Sequence, residues 1–220
     1  ILNDTLIVVT SEHGGQNNSH FHGNAEGQAD AGATEWGKGV NFDHTAINGV
    51  LKEVLKDGLV EAVSKDTLLH FFLKKRDRVS IARFSDRLRK LPGVSEIYTK
   101  QETRNGSHYI RTYRNPTLQG AELDWAKTHS QELVSTMAAP SSADALVLLQ
   151  DNHGYGLRGD HGGAQELVQR IPLYIFSPNL KTPGVLNNAA ARLVDIHPMV
   201  TYLMGLPKVE LDGSSALTGD

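Results

Sequence analysis

The chain has 220 residues, with 22 Lys and Arg against 25 Asp and Glu, a formal net charge of −3 with its ten histidines neutral. At 39% hydrophobic and 21% charged residues it has the composition of a chain that buries a core, and so small a net charge supplies no global field for gripping a polyanion, which argues against nucleic acid as a partner. It contains no cysteine, which excludes disulfides, thiolate metal sites and thiol catalysis, and no run approaches the roughly 18 to 20 apolar residues that cross a bilayer.

The opening Ile1-Leu2-Asn3-Asp4 has neither a basic n-region nor a cleavage pattern. With no initiator Met, the chain reads as a mature form or a piece of something longer. Residues 5–10 (TLIVVT) form an unbroken apolar run, which predicts a strand covered on both faces, as in a parallel sheet. Residues 11–42 are rich in Gly, Asn and His without periodicity and read as a long loop. Ile47, Val50, Leu51, Val54 and Leu55 follow helical spacing and stop at Gly58. Residues 67–73 read as a strand; Ile81, Phe84, Leu88 and Leu91 then predict a helix ending at Pro92-Gly93, followed by a strand over 94–99.

A helix is expected over 121–137, and buried strands over 143–150 (ADALVLLQ) and 171–176 (IPLYIF). Pro198 suits a first helical turn, and Gly205 with Pro207 suits its stop, so 198–204 reads as a closing helix. No internal repeat is visible. The pattern predicts an α/β fold with a mainly parallel sheet flanked by helices, its core drawn from 1–59 and 143–209. Residues 60–142 read as an inserted α+β subdomain and 210–220 as a tail.

Two loops carry candidate chemistry. Ser11-Glu12-His13-Gly14-Gly15 directly follows the first strand, where α/β sheets line their ligand crevice, and a carboxylate beside an imidazole suits a metal. Asp151-Asn152-His153-Gly154, then Gly159-Asp160-His161-Gly162-Gly163, lies between two other strands. Either loop alone reads more readily as an ordinary surface loop than as a site; together they would bring two His-Gly elements to one edge.

Other patterns carry less. Residues 154–159 satisfy GxGxxG, but the next residues are Asp160-His161-Gly162-Gly163 rather than a long helix, so a dinucleotide fingerprint is rejected. His20-Phe21-His22 sits in the Asn-rich loop and reads as solvent-exposed. Lys74-Lys75-Arg76-Asp77-Arg78 reads as a solvated turn. Three N-x-[ST] matches, at Asn3, Asn17 and Asn105, are short enough to recur by chance.

The two loops resemble a known family. Asn3-Asp4-Thr5 through Ser11-Glu12-His13-Gly14-Gly15 is similar to the "DTLIVVTSDHG" element of the alkaline phosphatase-like superfamily. That superfamily includes phosphodiesterases, nucleotide pyrophosphatases, sulfatases and cofactor-independent phosphoglycerate mutases. Gly159-Asp160-His161-Gly162-Gly163, with the following Arg170-Ile171-Pro172-Leu173 strand, resembles its "HGG…vPLii.gP" element. Val194-Asp195-Ile196-His197-Pro198 through Leu203-Met204-Gly205-Leu206-Pro207 resembles its closing helix. The arrangement is most similar to the type I phosphodiesterase and nucleotide pyrophosphatase branch.

The resemblance implies a metal-dependent phosphoric ester hydrolase with two divalent ions, usually zinc, about 4 Å apart, clamping a phosphoryl group around a Thr or Ser nucleophile. Glu12 and His13 match the Asp-His pair on one ion, and His161 matches the single His on the other. The family has Asp where this chain has Glu12; the extra methylene moves the carboxylate by about 1.5 Å, a displacement large enough to weaken that ion. The family's nucleophile and its remaining ligands precede the element with which this chain begins. The resemblance therefore implies a carboxyl-terminal part that supplies ligands, carries no catalytic nucleophile, and is inactive by itself toward phosphodiesters. Its implied partners are a small phosphate ester or phosphodiester substrate and the upstream part of the same polypeptide. A sulfatase, a phosphoglycerate mutase or a catalytically silent binding relative stays open. Many members are exported, so an extracytoplasmic location is expected, with a cytoplasmic one left open.

Overall fold

The structure, a computed structural model, describes residues 4–21, 54–56, 58–65, 67–155, 159–178, 180 and 191–214. Most of the helical pattern over 47–58 lies outside them, as do His22, Asn3 and part of the GxGxxG stretch; Val54 and Leu55, at its end, are helical and Val54 is buried. The chain forms two compact units, one of residues 1–12 with 171–220 and the other of residues 13–170.

In chain order the elements are β1 (Ile7–Thr10), β2 (Gln16–Asn17), β3 (His20–Phe21), β4 (Val60–Lys65), β5 (Leu68–Leu73), α1 (Arg78–Leu88), β6 (Val94–Thr103) and β7 (Gly106–Arg114). There follow α2 (Gly120–Ser135), β8 (Ala145–Leu149), β9 (His153–Gly154), β10 (Gly159–Asp160), α3 (Glu166–Gln169), β11 (Leu173–Phe176) and, after a 3-10 turn at Leu193–Asp195, α4 (Ile196–Leu203).

The larger unit is built on a five-stranded sheet of order β4-β5-β8-β6-β7. Every pairing in it is antiparallel. Side chains alternate across a strand, so β8 feeds two cores. Ala145, Val147 and Leu149 join Leu69, Phe71, Ile97 and the α1 residues Phe84 and Leu88 on one face. Leu146 and Leu148 join Leu68, Tyr98, Tyr109 and the α2 residue Val134 on the other. The result is helix, sheet, helix. Phe71 and Phe84 meet edge to face at 5.2 Å between ring centroids; both are wholly buried, and truncating either to Ala is expected to cost about 3–5 kcal/mol.

Local chemistry explains where α1 begins. Asp77 caps it, its carboxylate accepting from the Val79 and Ser80 backbone N–H groups. The basic run 74–78 is exposed apart from the reach of Arg76 Nε to the buried Asp144 carboxylate at 3.2 Å. On the other side of the sheet, Glu96 is fully buried and satisfied. Arg114 Nε lies 2.6 Å away, Arg111 Nη1 3.5 Å, and the Tyr98 hydroxyl donates to it at 3.0 Å. Desolvation, then the Glu96 charge, pushes the ionisation of Tyr98 well up.

The expected parallel sheet is corrected here. Among the described residues only the two-residue pair β3·β9 is parallel. β1 pairs antiparallel with β11, Ile7 opposite Phe176 through Thr10 opposite Leu173. Val9, Tyr174 and Phe176 are each more than half exposed, so neither strand is covered on both faces. For β8 the double coverage is real, but its neighbours run the other way. An unbroken apolar run reports helices on both faces of a strand, and an antiparallel sheet can supply them as well as a parallel one.

β8 lies in the middle of a sheet whose other strands come from residues 60–114. The sequence reading leaves out the β6–β7 hairpin, whose two-residue loop is Arg104-Asn105, with Gly106 opening β7 opposite Thr103 at a φ of 111°. In the smaller unit α4 starts at Ile196, two residues ahead of the expected Pro198. Ser214 N–H donates to Asp195 Oδ1 at 2.8 Å, so the start of the expected tail is tied down.

Candidate functional site

Within the larger unit, the two His-Gly loops are joined by short backbone pairings. β2 and β10 pair antiparallel, Gln16 opposite Asp160 and Asn17 opposite Gly159. β3 and β9 pair parallel, His20 opposite His153. Gln16 is buried and reinforces the join: its Nε2 donates to Asn18 Oδ1 at 2.8 Å and to the His153 carbonyl at 3.2 Å. Sequence reasoning had not singled out Gln16 or Asn18, since nothing in a short Asn-rich stretch marks which amide is buried.

This joining brings His13 and His161 together. Their rings stack with centroids 4.0 Å apart and planes 12° from parallel. His13 is partly buried and His161 is exposed. His13 Nδ1 lies 2.8 Å from the Gly14 carbonyl, which can only accept, so this contact places the proton on Nδ1. His20 is exposed and its ring stacks on His153 at 4.7 Å. Glu12, assigned by the resemblance to the same ion as His13, is exposed and belongs to the smaller unit; its carboxylate accepts from Ser11 Oγ at 3.4 Å.

Glycine is required beside His13 for a packing reason. Gly14 N–H donates to the Val168 carbonyl in α3 at 2.7 Å. A Cβ on Gly14 would sit 2.2 Å from the Leu167 carbonyl oxygen, which is backbone and cannot rotate aside. The loop carrying His13 therefore lies directly on α3, the short helix that starts five residues after His161.

The donor chemistry can be tested against a metal pair. Two rings stacked almost parallel direct their in-plane lone pairs side by side rather than toward one point. Such a pair cannot chelate a single ion well, although as an imidazole each ring has the chemistry to donate one nitrogen to an ion of its own. Among the described residues no group of three or more His, Asp or Glu gathers so as to hold one ion.

A second group of titratable residues lies on the α2 side. Glu122, Asp151 and Glu166 line a small cleft with Trp125 and Gln165. The Asp151 N–H donates to Glu122 Oε1 at 2.9 Å. Both the Glu122 and Asp151 carboxyls are raised above the ordinary carboxylate range, chiefly by desolvation; Asp151 adds to the rise at Glu122, and Glu166 to that at Asp151. Glu166 is paired with Arg170 at 2.8 Å.

No family model and no solved structure matches the chain. A stretch of 66 residues is 33% identical to "GPI ethanolamine phosphate transferase 3, catalytic subunit" of Mus musculus, covering 29% of this chain and 6% of the mouse protein. The chain thus spans a small fraction of the curated relative it matches. Among the described residues no helix is long and apolar enough to cross a membrane. The likeness fits the alkaline phosphatase-like superfamily and a phosphoryl-transfer chemistry at that level, without selecting the phosphodiesterase and nucleotide pyrophosphatase branch.

Proposed function

We propose that this chain is part of a metal-dependent phosphoryl-transfer enzyme of the alkaline phosphatase-like kind, acting on a small phosphate ester or phosphodiester, with His13 and His161 each holding one of two divalent ions. The observation that carries the reading is the stacking of these two imidazoles, distant in sequence, at 4.0 Å. Imidazole with carboxylate suits zinc, and the chain has no thiolate to offer. When bound, such a pair of ions polarises the phosphoryl group and neutralises charge on the leaving oxygen.

The chain's own residues supply positions. The Gly14 carbonyl holds the Nδ1 proton of His13, which fixes the tautomer. Val168 anchors the backbone after His13.

Equilibrium dialysis of the chain against zinc is the test. Binding that falls by one ion in His161→Ala, and again when His13→Ala is added, is the expected result. Zinc uptake that is the same in both variants as in the parent chain would overturn the assignment.

A further inference from the structure

We infer that Thr67 is a positioning residue for His161, acting through the backbone of the turn that carries it; this deepens the metal-pair reading above and rests on it. Thr67 lies just ahead of β5 and is completely buried. Its hydroxyl donates to the His161 carbonyl at 2.8 Å, and its own carbonyl accepts from Gln165 Nε2 at 3.2 Å. Thr67, His161 and Gln165 thus close a clasp around Gly163. A Cβ there would lie 1.8 Å from Gln165 Oε1 and 2.4 Å from Thr67 Oγ1.

The next carbonyls of the same turn are held in the same way. Gly163 O accepts from Gln169 Nε2 of α3 at 2.7 Å, and Ala164 O accepts from Trp125 Nε1 of α2 at 2.7 Å. The His161 side chain is exposed and stacks on His13, and the backbone beneath it is gripped by side chains from three segments, Thr67, Trp125 and Gln169. Because α3 also accepts the Gly14 N–H, both imidazoles are referenced to one short helix.

Of these grips, Thr67 is the one attached to the carbonyl of the histidine itself, and it is fully desolvated. Replacing its hydroxyl by a methyl keeps the volume and leaves a buried carbonyl without its donor, so the turn must move to find another.

The test uses the full chain, with zinc affinity from competition against a chromogenic chelator and with the imidazole resonances of His13 and His161 from NMR of the metal-free protein. Thr67→Val is expected to weaken zinc binding, by up to about 10²-fold if the turn shifts by about 1 Å, and to shift the His161 ring resonances as the stack with His13 loosens, while Thr67→Ser restores both. Unchanged affinity and resonances in Thr67→Val would overturn the inference, as would Thr67→Ser behaving like Thr67→Val, which would assign the effect to packing of the methyl group. Should Thr67→Val not fold, Gln169→Ala, which releases the Gly163 carbonyl from a half-buried position, is expected to shift the His161 resonances in the same direction, and their constancy would overturn the inference. If the parent chain takes up no zinc, the metal-pair reading falls, and the ring resonances still decide on Thr67.

Discussion

Replacing Gly14 by Ala should damage both the stability of the larger unit and the placement of His13. The added Cβ would lie 2.2 Å from the Leu167 carbonyl oxygen and 3.1 Å from that of Val168, where ordinary contact begins near 3.4 Å. The loop must therefore back away from α3 by about 1 Å, and a misplacement of that size can cost about 10²-fold at a reacting centre. Retreat also stretches the 2.7 Å bond from Gly14 N–H to Val168 O. Losing that bond costs about 0.5–1.5 kcal/mol, and forcing a methyl into a packed site typically costs about 1–3 kcal/mol. A total near 3 kcal/mol corresponds to a fall in Tm of about 6–12 °C for a unit of this size. Differential scanning calorimetry reads the first effect and zinc affinity the second. A variant that melts within a degree of the parent and binds zinc equally well would show that the contact with α3 does not hold His13 in place.

Other expectations follow from the buried polar groups. Glu96→Ala removes the buried partner of Arg114, whose side chain is 21% exposed, and leaves the Tyr98 hydroxyl without its acceptor, a loss of about 1–3 kcal/mol; urea unfolding with a loss below about 0.5 kcal/mol would contradict this. Tyr109 donates from its hydroxyl to the Ala143 carbonyl at 2.7 Å, and burial pushes its pKa from 10.0 up to about 12. Since the folded state holds this proton more tightly, its contribution is intact below pH 10 and is lost as pH rises toward about 12. Stability measured across that range should fall less steeply in Tyr109→Phe than in the parent. The raised Asp151 carboxyl has the same sign: its ionisation penalises the folded state once pH exceeds the ordinary Asp range, and the penalty is absent below it. Asp151→Asn should therefore raise Tm at neutral pH and leave it unchanged at pH values where Asp is protonated in both states.

The residue pattern made some of this architecture legible and hid the rest for physical reasons. The α1 helix, the strands around it and the burial of β8 could be read because apolar periodicity and an unbroken apolar run report which faces are covered. Strand direction could not, because ALVLL looks the same whichever way its neighbours run, and the helices over both cores disguise an antiparallel sheet as a parallel one. β1 and β11 carry the same apolar signature, yet Val9 and Phe176 are exposed, so hydrophobicity alone did not tell whether those strands are covered. The meeting of the His13 and His161 loops was anticipated, but by way of a shared parallel sheet edge. The structure achieves it through the β2·β10 and β3·β9 pairings, two residues each, too short to leave a periodic pattern. Thr67, Gln165 and Gln169 were invisible in the sequence because a carbonyl grip has no spacing rule; only the fold brings them beneath the His161 turn.

The most direct test of the metal-pair reading is anomalous diffraction at the zinc edge from crystals of the chain grown with zinc. It should reveal two peaks, one bound by His13 and one by His161. Zinc bound elsewhere on the molecule, or a single ion held between residues that include neither histidine, would contradict it.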